Sequence, residues 1–426
     1  MDAPGTNSIN GAAFNVLNSI IGSGIICLPI ALKNAGLATG ILLLILVGMI
    51  SQYTTYTLVF TGKRTNAMSY SEVTRQALGV TGYRILNASL TISMLGALTT
   101  YLIIVGDILT ALRETYLPAL TWATRSATIV GVSTTCISPF LFFRNSGPLA
   151  KISVVSVFAL PLILGIIAVR APIYAASAPM DYPLVLGNKV FPALGMLSFS
   201  FCSSHAAFQN FLGLEVRSLQ NWRKCTMMAT WAALLICCGF AVTGLMSFGS
   251  GVQANIFQNF PQNDPYVNVA RLLFCLTLVL TFPLTFYPAR DTMTHMLHID
   301  QPQLVHLSKS EILCSLKLFI LVIFAATQCT DLGMAYELVG AASATVIGFV
   351  FPALIFLWSG SDLTLAKVLT SQPVASLLPL VERTKDTDED DIAQGRQSMR
   401  LWGVGWFVFY FGITVFFVGT FSIIYR

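Results

Sequence analysis

The sequence of 426 residues contains few charged residues. Asp, Glu, Lys and Arg make up only 10% of it, whereas soluble globular proteins carry roughly 25%. Hydrophobic residues make up 55%, and the mean hydropathy is +0.73. This shortage of charge excludes an ordinary soluble domain and indicates a protein that lies in a membrane.

The sequence also lacks the motifs of common catalytic sites. Neither HExxH nor GxSxG occurs, and the four histidines (His205, His295, His298 and His306) have no metal-binding spacing on one helix. An enzyme is therefore not expected. The net charge of +5 does not point to nucleic acid either, because Lys and Arg in membrane proteins mostly report topology.

Long apolar runs are what the sequence does contain. Each is long enough to cross about 30 Å of hydrocarbon as a helix, so we predict an all-α polytopic membrane protein whose surroundings are the lipid bilayer. Residues 1–426 form one transmembrane domain with eleven helices. The predicted spans are 10–34, 38–61, 82–112, 125–143, 150–169, 188–212, 224–248, 266–289, 310–328, 333–358 and 400–424.

The connections predict the orientation in the membrane. Residues 1–9 contain no Lys or Arg, so no signal peptide is expected and the N-terminus is a short segment before the first span. Most Lys and Arg fall in loops on the same side as residues 1–9, and this side is cytoplasmic by the positive-inside rule. The longest connection, 359–399, is then a cytoplasmic loop, and its run TKDTDEDD is typical of a solvated linker.

The first span contains an unusual stretch, FNVLNSIIGSGIICLP (14–29). Gly22-Ser23-Gly24 interrupts it, and each glycine costs roughly 1 kcal/mol relative to alanine inside a helix. A packing notch for a neighbouring helix is one explanation. The polar residues Asn15, Asn18 and Ser19, one to two turns earlier, favour local unwinding instead.

An unwound segment in a membrane has a chemical use. Its free carbonyls can bind a cation, and the N–H groups of the following half-helix suit a carboxylate. Transporters built from inverted repeats use paired broken helices in this way. The second break is predicted in FPALGMLSFSFCSSHAAFQNFLGLE (191–215), which contains Ser200, Ser203 and His205. His205 has an ordinary alternative, a hydrogen-bonded histidine inside the bundle.

The eighth span, in LTLVLTFPLTFYPARD (276–291), has a stripe of hydroxyls at Thr277, Thr281 and Thr285. Threonines that bond back to their own helix would explain it. The alternative is a site for a hard cation such as Na⁺, because Pro283 and Pro288 remove backbone hydrogen bonds and hard cations prefer oxygen ligands.

Few acidic residues fall inside the predicted spans; Glu337 is the clearest, and Asp107 is similar. An intramembrane carboxylate is a candidate for coupling or gating. Glu337 lies near the outer end of the tenth span, where simple hydration is the alternative, and Asp107 is in a similar position.

Four stretches resemble one transporter family. They are FNVLNSIIGSGIICLPIALKNAGLATGILLL, MLSFSFCSSHAAFQNFLGLE, LTFPLTFYPARDTMTHML and DLGMAYELVGAASATVIGFVFPALIFL. They resemble helices one and two, six, eight and ten of the sodium-coupled neutral amino acid transporters, solute carrier family 38 of the amino acid/auxin permease superfamily. The similarity covers residues 10 to about 358 in order, and the run NSIIGSGII resembles the transporter 11-like branch.

The resemblance implies a leucine-transporter-like fold, with a five-plus-five inverted repeat over 10–358, broken helices one and six, and an eleventh helix at 400–424. It implies a Na⁺ site on Asn18 and Thr281. The amino acid would lie against helix one with helix six opposite, at Ile21, Gly22, Ser23, Gly24, Ser200, Ser203 and His205.

The expected function is Na⁺-coupled transport of a small neutral amino acid by a monomer that works by alternating access. Vacuolar and plant relatives use protons, so a proton-coupled transporter of a vacuole or lysosome is the first alternative to one of the plasma membrane. Its titrating group would be His205, Glu337 or Asp107. The second is an amino acid sensor that signals through the 359–399 loop, and the short N-terminus argues against it.

Overall fold

The structure is a computed structural model. It describes residues 5, 7–141, 143, 153–175, 181–299, 307–359 and 402–425. In the helix that begins at Ser153, the side chains are described from residue 159 onward. Every regular element in these ranges is helical, apart from one isolated parallel bridge between Asn7 and Leu214.

The described helices are numbered in chain order. They are α1 (Ile9–Ile21), α2 (Leu28–Ala35), α3 (Leu37–Arg64), α4 (Tyr70–Tyr116), α5 (Arg125–Val132, continued by a π-helical turn and Ser138–Leu141), α6 (Ser153–Tyr174), α7 (Val190–Ser200), α8 (Ala207–Leu212), α9 (Leu219–Phe248), α10 (Pro265–Met296), α11 (Lys309–Gln328), α12 (Leu332–Ser359) and α13 (Trp402–Ile424).

The prediction of an all-helical membrane protein is confirmed. Among the described residues, eight helices are long and apolar enough to cross a bilayer, if α7 and α8 are counted as one helix. If the bent pair α1–α2 is also counted as one span, the number of candidate spans rises to nine. The helices α5 and α6 adjoin residues outside the described ranges. The count of eleven spans therefore stays a prediction, as does the 359–399 loop, which lies outside the described residues from position 360.

The third predicted span differs from the structure in its length. Helix α4 begins at Tyr70 rather than at residue 82, and Ser69 caps it by accepting a hydrogen bond from the Glu72 N–H. The backbone leaves helical geometry at Gly79 (φ 67°, ψ −164°), a conformation that a residue with a side chain rarely adopts. The residues of α4 before Gly79 therefore form a short helical segment that this kink sets off from the rest of the helix.

The first and sixth predicted spans lie side by side and are tied at both ends. Before α1, the Asn7 N–H donates to the Gly213 carbonyl (2.9 Å), which follows α8. At the other end, the Gly187 N–H donates to the Ala35 carbonyl of α2 (2.7 Å) just before α7 begins. We call these ends of the bundle the N-terminal end and the distal end. The beginning of the first span thus contacts the end of the sixth, and the beginning of the sixth contacts the end of the first.

Helix α12 crosses α7 at two glycines. A Cβ atom on Gly340 would overlap the carbonyl oxygen of Gly195, and a Cβ on Gly195 would lie 2.6 Å from the carbonyl oxygen of Glu337. Small residues permit such close backbone contact between membrane helices. The crossing holds α12 against the helix that leads into the second interruption.

We expect Gly340→Ala to destabilise the protein by about 1–3 kcal/mol, because the added methyl group meets backbone that cannot move aside. Thermal unfolding of the purified protein in detergent measures this. The control is Gly239→Ala in α9, where a Cβ would meet nothing within 4 Å and stability should be unchanged or higher. Equal melting temperatures for Gly340→Ala and wild type would contradict the close crossing.

Candidate functional site

The first predicted break is present. Helix α1 ends at Ile21, a 3₁₀ segment follows over Ser23–Cys27, and α2 begins at Leu28. The two halves are bent by 44°. The prediction of local unwinding at Gly22-Ser23-Gly24 is therefore confirmed.

The sixth predicted span is also interrupted, although no pair of glycines marks it. Helix α7 ends at Ser200, residues 201–203 are not helical, a 3₁₀ turn covers Ser204–Ala206, and α8 begins at Ala207. This second break too is confirmed.

Hydroxyl groups of neighbouring helices satisfy the carbonyls at the first interruption. The Tyr336 hydroxyl donates to the Ser23 carbonyl (2.9 Å), and Ser200 Oγ donates to the Gly24 carbonyl (3.1 Å). A Cβ on Gly24 would lie 2.6 Å from Ser200 Oγ, so the glycine lets the two interruptions touch. Such partners are required because lipid offers no hydrogen bonds to free backbone groups.

The second interruption is supported from α3. Ser51 Oγ donates to the Phe201 carbonyl (2.6 Å). The Ser203 hydroxyl lies 3.4 Å from Ser51 Oγ and 3.3 Å from Thr55 Oγ1. The side chain of Ser203, a predicted substrate contact, thus forms hydrogen bonds with α3.

A cavity of about 120 Å³, here called the central cavity, lies where the two interruptions meet. Residues from both interruptions, from α4 and from α10 form its wall. Five of the predicted substrate residues line it, namely Gly22, Ser23, Gly24, Ser200 and His205; Ile21 and Ser203 do not. The other lining residues are Ser19, Ile20, Leu90, Ser93, Met94, Ala97, Tyr101, Phe199, Cys202, Thr285 and Ile347.

His205 differs from a satisfied core histidine. Its side chain is exposed in the wall of the central cavity, and it forms no hydrogen bond with any residue in the described ranges. Gly22 is exposed as well, and a Cβ there would meet nothing within 4 Å. At these two positions, both interrupted spans contribute accessible polar groups to the wall of the central cavity.

The predicted Na⁺ ligands lie beside this cavity but do not line it. Asn18 is partly exposed, and its carbonyl accepts the Gly22 N–H (3.3 Å). Thr281 Oγ1 donates to the Thr277 carbonyl of its own helix (2.7 Å), as the back-bonding interpretation requires. Thr285, one turn further along α10, lines the cavity instead. The assignment of Na⁺ to Asn18 and Thr281 stays a prediction.

The two intramembrane carboxylates occupy different environments. Glu337 is only 2% exposed and lies close enough to Cys27, in the 3₁₀ segment of the first interruption, to act on it electrostatically. Simple hydration therefore does not explain it. Asp107 lies near the distal end, where Arg125 Nε forms an ion pair with it at 2.6 Å.

Sequence reasoning missed the contribution of α4. Its residues Leu90, Ser93, Met94, Ala97 and Tyr101 line the cavity. They recur at intervals of three and four along the run LTISMLGALTTY, which is the spacing of one helix face. That periodicity was the available signal.

Residues 5–364 match the family model described as transmembrane amino acid transporter protein. The chain belongs to this family. It is a family of transporters and not of enzymes, so the transporter moves amino acids across a membrane.

Three relatives illustrate the range of the family. "Putative sodium-coupled neutral amino acid transporter 11" of Mus musculus is 30% identical over 83% of this chain and 78% of its own length. "Vacuolar amino acid transporter 2" of Saccharomyces cerevisiae is 26% identical over 81% and 75%. "Amino acid transporter AVT6E" of Arabidopsis thaliana is 27% identical over 84% and 77%. The transporter is thus similar both to proteins named for sodium and to a vacuolar one.

We expect Tyr336→Phe to loosen the first interruption, because it removes the donor to the Ser23 carbonyl and keeps the aromatic ring. The buried carbonyl then lacks a partner, which costs about 1–3 kcal/mol. Thermal unfolding measures the loss, and hydrogen exchange at Ser23–Cys27 should become faster. Tyr410→Phe is the control, since Tyr410 is 61% exposed. Unchanged exchange in Tyr336→Phe would show that the hydroxyl does not hold this segment.

Proposed function

We propose that the transporter carries small neutral amino acids by alternating access, coupled to Na⁺. The observation that carries this proposal is the shared cavity of the two interrupted spans, with Gly22-Ser23-Gly24 on one side and Ser200 and His205 on the other. Paired broken helices at the middle of a bundle supply both free backbone groups and a hinge.

We also propose the eleven-span architecture with a five-plus-five inverted repeat. The described helices form eleven successive stretches when α1–α2 and α7–α8 each count once. The interruptions then fall in the first and the sixth. The reciprocal backbone ties of Asn7 with Gly213 and of Ala35 with Gly187 support a two-fold relation in the membrane plane, because each span runs opposite to the other.

The size of the central cavity favours a small substrate. Its volume is about 120 Å³, and an apolar cavity of about 150 Å³ holds benzene. Benzene has as many non-hydrogen atoms as alanine. A small neutral amino acid therefore fits, whereas a large aromatic one does not fit without rearrangement.

The polarity of the wall suggests the orientation of the substrate. Ser23 and Gly24 begin the 3₁₀ segment that continues into α2, and the first N–H groups of a helix have no acceptor within it. We place the substrate carboxylate there. The ammonium lies towards Ser200 and the carbonyls of the second interruption. The side chain faces the apolar part of α4 at Leu90, Met94 and Ala97.

We place the Na⁺ near Asn18 and Thr281, as the family resemblance implies. Asn18 lies one turn before the interruption, and its neighbour Ser19 lines the cavity. A cation at this position would favour substrate binding through its charge, since the substrate carboxylate lies on the same segment.

We propose that the N-terminal end of the bundle faces the cytoplasm. The connections at this end contain or adjoin the basic residues Lys63, Arg64 and Arg217, and basic residues are enriched on the cytoplasmic side of membrane proteins.

A proton is the second candidate for the coupling ion, and His205 favours it. This imidazole lies in the wall of the central cavity, and an imidazole can accept and release a proton beside the substrate. Protonation beside the substrate would couple the two binding events through charge alone.

The coupling ion is tested by uptake of labelled alanine into proteoliposomes under an imposed Na⁺ gradient or, separately, a pH gradient. We expect Na⁺-driven uptake in wild type. In Asn18→Ala the Na⁺ concentration for half-maximal uptake should rise about tenfold or more, which corresponds to loss of one ligand worth about 1.4 kcal/mol. The control is Asn10→Ala, an exposed asparagine at the start of the same helix.

Uptake that follows only the pH gradient, is lost in His205→Ala and is unaffected in Asn18→Ala would overturn the sodium assignment and support the proton. Failure to transport any amino acid under either gradient would contradict the proposed mechanism as a whole.

The substrate size limit gives a further prediction. Met94→Ala removes side-chain volume from the cavity wall, so leucine should compete with labelled alanine uptake at least about tenfold better than in wild type, since each added methylene is worth about 1–3 kcal/mol in a fitting pocket. Met228→Ala, at a position 48% exposed, is the control. An unchanged alanine-to-leucine preference would show that α4 does not bound the substrate.

A further inference from the structure

A second cavity lies at the distal end of the bundle. Its volume is about 260 Å³, larger than that of the central cavity, and the two have no lining residue in common. The distal cavity is bounded by the last turns of α4, the start of α5, the 249–264 connection and the first part of α10. The polar side chains that matter in it are Asp107, Arg125, Asn255, Gln258 and Arg271.

The two cavities are well separated along one helix. Ala97 lines the central cavity and Ala111 lines the distal one. Both are on α4, beyond its kink at Gly79, so their fourteen positions (111 − 97) correspond to about 21 Å at about 1.5 Å per residue. A ligand in one cavity therefore leaves the other free.

Arg271 places a buried positive charge in the wall of the distal cavity. It is only 2% exposed. Its guanidinium donates to the carbonyls of Phe257 (2.6 Å), Phe260 (3.0 Å) and Pro261 (3.3 Å) and to Asn268 Oδ1 (2.5 Å).

No carboxylate in the described ranges lies within ion-pair distance of Arg271. Asp264 interacts electrostatically with Arg271 from beyond ion-pair distance, but Asp264 forms its ion pair with Arg170, at 2.7 Å. A buried cation that lacks a counterion is costly, so the site suits a ligand with a carboxylate.

Two donors in the same wall have no partner. Asn255 is 1% exposed, and its Nδ2 makes no hydrogen bond within the described structure. The hydroxyl of Thr110 is buried and unpaired as well. Buried polar atoms normally have partners. A carboxylate or a carbonyl group of a ligand would supply acceptors for both.

Asp107 forms the negative side of the cavity. Its carboxylate accepts from Arg125 Nε (2.6 Å) and from Gln258 Nε2 (3.2 Å). A carboxylate has about four acceptor positions, so capacity for an ammonium group remains. The side chain is 10% exposed, which leaves it accessible from the cavity.

We propose that the distal cavity is a second binding site for a zwitterionic amino acid. The ligand carboxylate interacts with Arg271, Asn255 and Thr110, and its ammonium group interacts with Asp107. Charges of both signs in one cavity favour a zwitterion over a simple anion. The chemical class of the ligand rests on the proposed function, while the site itself rests on the geometry of the cavity.

The number of bound amino acids per chain tests this. Labelled alanine binding is measured on the purified full-length protein with three forms: wild type, Ala97→Phe and Ala111→Phe. The two substitutions are matched, because each fills one cavity from the same helix and removes no polar group. We expect two molecules per chain in wild type and one in each variant.

Other stoichiometries separate the two proposals. One molecule in wild type, lost in Ala97→Phe and kept in Ala111→Phe, overturns the distal site and leaves the proposed function intact. One molecule lost only in Ala111→Phe overturns the central assignment and supports the distal site. No binding of any standard amino acid overturns both.

A second variant keeps the test independent of how the phenylalanines pack. Asp107→Asn preserves the shape of the side chain but removes its charge. At the distal site, alanine affinity should fall about tenfold or more. Binding of propionate, which has the carboxylate but no ammonium, should be unchanged. Equal losses for alanine and propionate, or no loss for either, would overturn the assigned orientation and with it the zwitterion site.

Discussion

Backbone N–H and C=O groups inside a bilayer must find partners within the protein, because hydrocarbon offers none. A continuous helix meets this requirement by itself, and an interrupted one does not. The transporter interrupts two neighbouring spans, at residues 22–27 and 201–206, and then needs side chains of other helices to complete the hydrogen bonding. Tyr336 of α12, Ser51 of α3 and Ser200 of α7 do so. The position of these helices around the central cavity follows from that requirement.

The same contacts constrain any movement. Ser200 bonds to Gly24, and the ends of the two spans are tied through Asn7 and Gly187, so the two interrupted spans are joined at their breaks and at both ends. The glycine crossing of α7 and α12 brings the buried Glu337 close to the first interruption.

The two cavities differ in the polar groups that line them. The central cavity is small and presents hydroxyls, backbone groups and an imidazole, which suits selection by size and by the α-amino acid group. The distal cavity is larger and contains full charges. Both open on α4, which makes this long helix the element that connects them.

Much of the fold followed from composition and local pattern. Long apolar runs with little charge determine membrane helices, because burying a charge in lipid is costly and each helix pairs its own backbone. The break at Gly22-Ser23-Gly24 was visible because glycine weakens a helix wherever it occurs. The second break was predicted by analogy with the first and from the serines and histidine around it, which are a weaker signal.

What the sequence by itself determined is therefore the helical membrane class and the two places where a helix is interrupted. Only the tertiary structure decided which side chains share a cavity. Ser203 contacts α3, Thr285 rather than Thr281 lines the cavity, and Tyr336 reaches Ser23 across more than three hundred residues. The rotation of each helix about its own axis is set by packing against its neighbours, and local sequence carries no direct record of those neighbours.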